Sequence, residues 1–332
     1  MDIRNTRAMK AFAAERLRNA PQQKKILLIY SSIVLGLALL STAIHYVLGM
    51  QISQMGGLSQ LGSRTILSTL QSMLPLMQSL VVMCLELGYM AAMLRIARGQ
   101  YASPNTLRLG FDRFWTLLRC AVMQGLIYGG LAVSAMYLAS LVFVATPWSE
   151  PFMTAMASVT AGTSLLNPEI VLDDTTVMKL IPTMVPMFLI LAVMICLLVL
   201  PVIYRYRMVD YVIIDKPGMG AMAALRESRK MMHGNCLKLL KVDLSFWWFY
   251  LLMALVSAVA NLDQWLALMG IALPISPEAA YFAFYAAYLA LQFAAYYFLR
   301  NRFEVTYALV YDAVKPEEPR DTGVVLGNIF NM

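Results

Sequence analysis

The sequence predicts an all-α polytopic membrane protein, with six transmembrane helices and cytoplasmic amphipathic helices between spans 2 and 3 and between spans 4 and 5. Three observations predict it. Apolar residues make up 60% of the 332 and charged residues only 14%, with a mean hydropathy of +0.65, whereas a water-soluble domain is about half apolar and a quarter charged. Six runs reach the ~20 mainly apolar residues that cross a hydrocarbon core. Of the 26 Lys and Arg residues, all but Arg64 and Lys179 fall in the N-terminal segment, in alternate connections (counting the first turn of span 5) or after the last span, as positive residues do when they hold the cytoplasmic side.

Residues 1–25 carry Arg4, Arg7, Lys10, Arg16, Arg18, Lys24 and Lys25 and form a basic, amphipathic cytoplasmic segment. The first span, Ile26–Leu48, is full length and lacks a small-x-small cleavage site, so it is expected to be a retained helix rather than a signal peptide. Spans follow at Leu70–Leu94, Ala121–Ala145, Ile181–Tyr204, Leu237–Ala260 and Ala279–Leu299, giving a transmembrane domain over 26–312 and a cytoplasmic tail over 313–332. Pro75, Pro182, Pro186 and Pro201 fall in or near spans, where neighbouring groups satisfy the freed carbonyl and a kink is expected. An even number of spans puts both termini inside. The loop 146–180 lies outside and is acidic, with Glu150, Glu169, Asp173 and Asp174.

A weak internal repeat follows spans 2 and 4. Ser103-Pro104 has the form of an N-cap with proline at the first helical position, and Leu107, Phe111, Phe114, Trp115 and Leu118 then recur at helical spacing. In the second copy Ala221, Ala224, Leu225, Ser228, Met231 and Met232 make one stripe, with Arg226, Arg229, Lys230 and His233 beside it. A second echo pairs Arg205 and Asp215 with Arg302 and Asp312, at the same Arg-to-Asp spacing.

The pattern Ser228-x-x-x-Met232-x-Gly234, Leu244-Ser245-Phe246-x-Trp248 and Ala283-Phe284-Tyr285 resembles the bacterial membrane family called domain of unknown function 975. Thr6-Arg7-x-x-Lys10-x-x-Ala13 and Gly110-Phe111 also fit, so the resemblance covers most of 6–312. The chain departs from the pattern between spans 3 and 4, where the acidic loop replaces a Pro-Gly-Ile-like element. The resemblance implies a bacterial membrane protein and supplies neither an activity nor site residues.

The residues themselves exclude several chemistries. A net charge of +7 distributed by membrane side speaks for topology rather than for a nucleic-acid partner. Cys84, Cys120, Cys196 and Cys236 are far apart and lie in or beside apolar segments, so buried free thiols are expected. The 25 Met residues read as flexible apolar filler, since pairs such as Met90/Met93 have no histidine at ligand spacing. His45 and His233 lack partners at zinc-ligand spacing. Ser228 has no Gly-x-Ser-x-Gly elbow. No cofactor is implied, and no enzyme activity is expected.

Three polar residues stand out as a candidate intramembrane site: Glu86, Gln124 and Asp243. A charge at mid-membrane costs about 2.5–3.5 kcal/mol on insertion scales, so Glu86 is either a proton- or cation-handling carboxylate or a group satisfied by Gln124, Tyr89 or a neighbouring hydroxyl. Asp243 reads as a local or interfacial pair with Lys238 and Lys241. Arg226, Arg229, Lys230 and His233 form a candidate contact for anionic lipid, at about 1 kcal/mol per basic residue near the surface; topology alone also accounts for them. Trp247, Trp248, Phe249 and Tyr250 read as interfacial anchors. Two functions follow. One is a non-enzymatic scaffold, assembly or envelope-associated factor of the bacterial cytoplasmic membrane, whose partners are lipids, a protein or a second copy of itself. The other is a small transporter or permease subunit using Glu86.

Overall fold

The computed structural model describes residues 5–55, 61–161, 174–271 and 273–316, and every regular element among them is helical. Glu169 and Asp173 of the acidic loop and most of the tail lie outside the described residues. Five helices are long and apolar enough to cross a membrane: Gln22–Gln54, Gly62–Ala97, Phe114–Val144, Met184–Asp215 and Glu278–Val314. A sixth span exists if the bent pair Cys236–Ser245 and Trp247–Val259 is counted as one. Each predicted apolar run lies largely within one of these six, and several helices continue well past the run.

The chain divides into two compact units, Met1–Leu118 with Met208–Met332, and Arg119–Arg207. In the first, α1 (Thr6–Arg18) leads to α2 (Gln22–Gln54), which packs along α3 (Leu61–Ala97). The α3 helix is the centre of this unit. Its apolar window is 61% buried, against 22% for α2. The reason lies in its second half, where Gly88, Ala91 and Ala92 are small enough to let other elements approach on several sides.

The stretch after α3 differs from the single amphipathic helix expected there. It is a 3-10 turn over Pro104–Arg108, a short α4 (Leu109–Asp112) and a break at Arg113 before α5 (Phe114–Val144). Leu107 is buried, but Phe111 and Trp115 are exposed, so the apolar periodicity belongs partly to a wedge against α3 and partly to the start of a span. The wedge fits through two glycines. A Cβ on Gly88 would lie 2.3 Å from the Leu107 carbonyl oxygen, and one on Gly110 would lie 1.9 Å from that of Cys84.

The second unit holds most of α5, α6 (Ser149–Ala161), α7 (Asp174–Leu198) and α8 (Leu200–Tyr206). Phe143 packs edge-on against Phe152, with ring centroids 5.5 Å apart. The helix breaks at Val199, two residues before Pro201, as expected where a proline removes a backbone donor. Pro75, Pro182 and Pro186 lie inside their helices. Cys84 and Cys120 are buried free thiols, whereas Cys196 is exposed on α7.

Back in the first unit, α9 (Val209–Asp215) precedes α10 (Ala221–Met232), whose buried side is Ala224, Leu225, Ser228, Met231 and Met232. Next come α11 (Cys236–Ser245), α12 (Trp247–Val259), α13 (Leu262–Leu268), α14 (Pro277–Ala295), a π-helical turn over Tyr296–Arg300, and α15 (Asn301–Val314). The predicted fifth span is bent by 61° between α11 and α12, although it contains neither proline nor glycine. A side chain from elsewhere holds the bend: Lys10 of α1 donates to the Ser245 carbonyl at 2.6 Å and lies 3.9 Å from the centroid of the Phe246 ring. A side chain that takes a carbonyl out of the helical ladder is a recognised cause of a sharp bend.

Candidate functional site

Two charged clusters organise the first unit, and both use α3 and α15. The upstream one is centred on Arg300, the last residue of the π-helical turn. Such turns tilt side chains away from the regular helical rows and recur at functional positions. The Arg300 side chain is 8% exposed and donates to Glu86 at 2.6 Å, with Glu304 one turn on at 3.8 Å. The guanidinium carbon sits 4.8, 5.1 and 4.6 Å from the ring centroids of Tyr30, Tyr89 and Tyr296. Tyr30 and Tyr89 stack on each other at 4.8 Å. Aromatic faces and two carboxylates thus replace the water that a buried guanidinium gives up.

A hydrogen-bond chain leads outward from this cluster. The Tyr89 hydroxyl donates to Asn301, Asn301 donates to the Gln23 side chain at 2.9 Å, and Gln23 donates to the Leu17 carbonyl at 2.8 Å. The middle of α3 is therefore tied to the corner between α1 and α2.

The second cluster resolves the aspartate echo. Asp215 ends α9, Asp312 lies near the end of α15, and both meet Arg98 just after α3. Arg98 donates to Asp215 at 2.8 Å and, through two nitrogens, to Asp312 at 2.7–3.2 Å. The hydrogen bonds that Arg98 donates to Asp312, and then to Asp215, hold its pKa above that of an ordinary arginine. Asp215 also accepts from the Tyr311 hydroxyl at 3.1 Å and from Lys315 at 2.7 Å.

Arg98→Gln is expected to lower stability by about 2–3 kcal/mol, since hydrogen bonds to charged groups are worth ~1.5–3 kcal/mol and two acid groups lose their shared cation. Asp215→Asn should cost more than Asp312→Asn, because Asp215 is 10% exposed against 30% and has three partners. Thermal unfolding of the purified chain in detergent gives the order, and equal costs for the two aspartates would contradict it.

The candidate polar residues do not form one site. Glu86 pairs with Arg300, a partner the local sequence did not suggest. Gln124 lies in the other unit and donates to the Tyr206 carbonyl at 3.5 Å. Asp243 accepts from the Tyr250 hydroxyl at 2.9 Å beside the α11–α12 bend, while Lys238 donates to Asn235. Arg226, Arg229, Lys230 and His233 all lie exposed on α10 and its C-cap. Among the described residues, no group of three His, Cys, Asp or Glu could hold a metal ion.

Arg300, Arg98 and Tyr30 were not singled out from the sequence, and Tyr89 was named there only as a group that could satisfy Glu86. One signal was present: Glu86 and Arg300 each lie toward the C-terminal end of an apolar run.

No curated protein and no solved structure matches the chain. The model of the family described as protein of unknown function (DUF975) matches residues 1–315. That stretch takes in α1 to α15 and both ion clusters, through Lys315 itself, and the chain belongs to the DUF975 family.

Proposed function

We propose that this protein is a non-enzymatic component of the bacterial cytoplasmic membrane, with both termini in the cytoplasm, and that its cytoplasmic helices bind anionic lipid as part of a scaffolding or assembly role. The observation that carries this reading is the asymmetry of α10. One side is buried against the unit, and the other presents Arg226, Arg229, Lys230 and His233. None of these four has a carboxylate within salt-bridge distance among the described residues, whereas neighbouring Glu227 pairs with Lys216 at 3.3 Å. An amphipathic helix with an unneutralised basic side suits the headgroup layer of an anionic leaflet.

The alternative, a small transporter or permease subunit, needs Glu86 as an exchanging carboxylate. Its 2.6 Å pair with an arginine enclosed by three rings favours a structural role instead. The test is titration of the full-length protein in detergent with short-chain phosphatidylglycerol and phosphatidylcholine. The variant R226Q/R229Q/K230Q/H233Q should bind phosphatidylglycerol at least tenfold more weakly with phosphatidylcholine unaffected. Unchanged phosphatidylglycerol affinity would remove the basis of the proposal.

A further inference from the structure

A cavity of about 450 Å³ opens where the α1–α2 corner meets the π-helical turn and the start of α15. Arg18, Lys24 and Arg302 line it, together with Gln23, Asn301 and Tyr297, and no acidic residue does. None of the three cations has a carboxylate within salt-bridge distance among the described residues, although Glu86, Asp215 and Asp312 are all engaged elsewhere in the same unit. The cavity also meets the start of α2, which follows Pro21 and has no side-chain cap, so the first amide groups of a 33-residue helix add to the positive potential. Three unneutralised cations around a recess favour a phosphate-bearing anion.

The α2 helix and the π-helical turn also border a second feature. Further along α2, Ser31, Val34, Leu35 and Ala38 face Leu289 and Phe293 of α14 across a shallow groove. From Lys24 to Ser31 is seven residues of helix, about 10 Å at ~1.5 Å per residue. The groove is apolar apart from Ser31, Gln292 and Tyr296, and the Ser31 hydroxyl is buried with no hydrogen-bond partner. A buried hydroxyl left unsatisfied is costly, and an ester carbonyl beside it would satisfy it.

We propose that this seam binds one anionic glycerophospholipid: the phosphate held by Arg18, Lys24 and Arg302, the glycerol ester near Ser31, and an acyl chain along Val34, Leu35, Ala38, Leu289 and Phe293. The site is separate from the basic face of α10 and does not depend on it. A free phosphate compound shares the headgroup chemistry, and the groove distinguishes the two ligands.

The test uses the full-length protein in detergent, titrated with short-chain phosphatidylglycerol, short-chain phosphatidylcholine and glycerol 3-phosphate. The variant R18Q/K24Q/R302Q should lose at least tenfold in phosphatidylglycerol affinity, beyond any loss caused by the α10 substitutions, with its thermal unfolding unchanged because all three side chains are exposed. Val34→Trp, which fills the groove, should weaken phosphatidylglycerol and leave glycerol 3-phosphate unaffected. Phosphatidylglycerol affinity indifferent to the triple substitution overturns the site. Glycerol 3-phosphate binding as tightly as the lipid, with Val34→Trp silent, overturns the phospholipid assignment in favour of a soluble phosphate ligand. Loss of binding in the triple variant with none in the α10 variant would sustain this site and reject the α10 reading.

Discussion

Arg300→Ala is expected to destabilise the protein by about 3–5 kcal/mol, the range for removing one partner of a buried ion pair, while Glu86→Gln should cost no more than about 1 kcal/mol. The pair is the same, yet its two ends sit in different surroundings. Arg300 is 8% exposed and Glu86 is 45% exposed, so the arginine fills the centre of the cluster while the carboxylate stands at its edge. Losing Arg300 removes the cation 3.8 Å from Glu304, itself only 12% exposed, and opens a void among Tyr30, Tyr89 and Tyr296. Losing the Glu86 charge leaves Glu304 and all three rings in place. Arg300→Lys should fall between the two, because an ammonium keeps the charge but not the flat guanidinium that lies near several rings at once. Thermal unfolding in detergent, followed by size exclusion, measures all three variants. Equal costs for Arg300→Ala and Glu86→Gln would mean that the carboxylate, not the arginine, is the group the cluster depends on, and the transporter reading would regain its footing.

Much of this architecture could be read from residue order, and what escaped did so for identifiable reasons. The stripe of α10 was visible because a helix half-buried against its own unit shows a 3.6-residue period. The aspartate echo was visible as equal spacing in two places, but the shared partner was not: Arg98 lies 117 residues from Asp215 and 214 from Asp312, and only the docking of α9 and α15 on α3 brings them together. Glu86 was recognisable as costly in lipid, yet Arg300 read as one more positive residue flanking a span. The α11–α12 bend has no proline or glycine to announce it, since Lys10 holds it from another helix. The stretch from Pro104 misled because Phe111 and Trp115 carry helical periodicity while remaining exposed. In a membrane protein an apolar stripe need not be a buried one.

Gly110→Ala should be among the most damaging single-atom changes available, at about 3 kcal/mol, the upper end of the usual overpacking cost. The obstacle to the new Cβ is backbone, with the carbonyl oxygen, carbonyl carbon and Cα of Cys84 at 1.9, 2.6 and 2.8 Å, and backbone cannot rotate aside as a side chain can. Gly88→Ala should behave alike, because Leu107 presents the same three atoms at 2.3–2.6 Å. The two contacts interlock: α3 receives the 3-10 turn at Gly88, and α4 receives α3 at Gly110, one helical turn away. Either methyl group must push the wedge off α3. Once it has moved, the second methyl finds room, so the double variant should cost clearly less than the sum of the singles. Gly36→Ala and Gly125→Ala supply the control, since a Cβ at either meets nothing within 4 Å; alanine there should be neutral or stabilising by about 0.5–1 kcal/mol, as in any helix interior. Glu86 lies between Cys84 and Gly88, so separating the wedge from α3 should also loosen the Arg300 pair, and Gly110→Ala combined with Arg300→Ala should be less than additive. Strict additivity there would show that the glycine contacts and the charged cluster are independent supports of α3 rather than one.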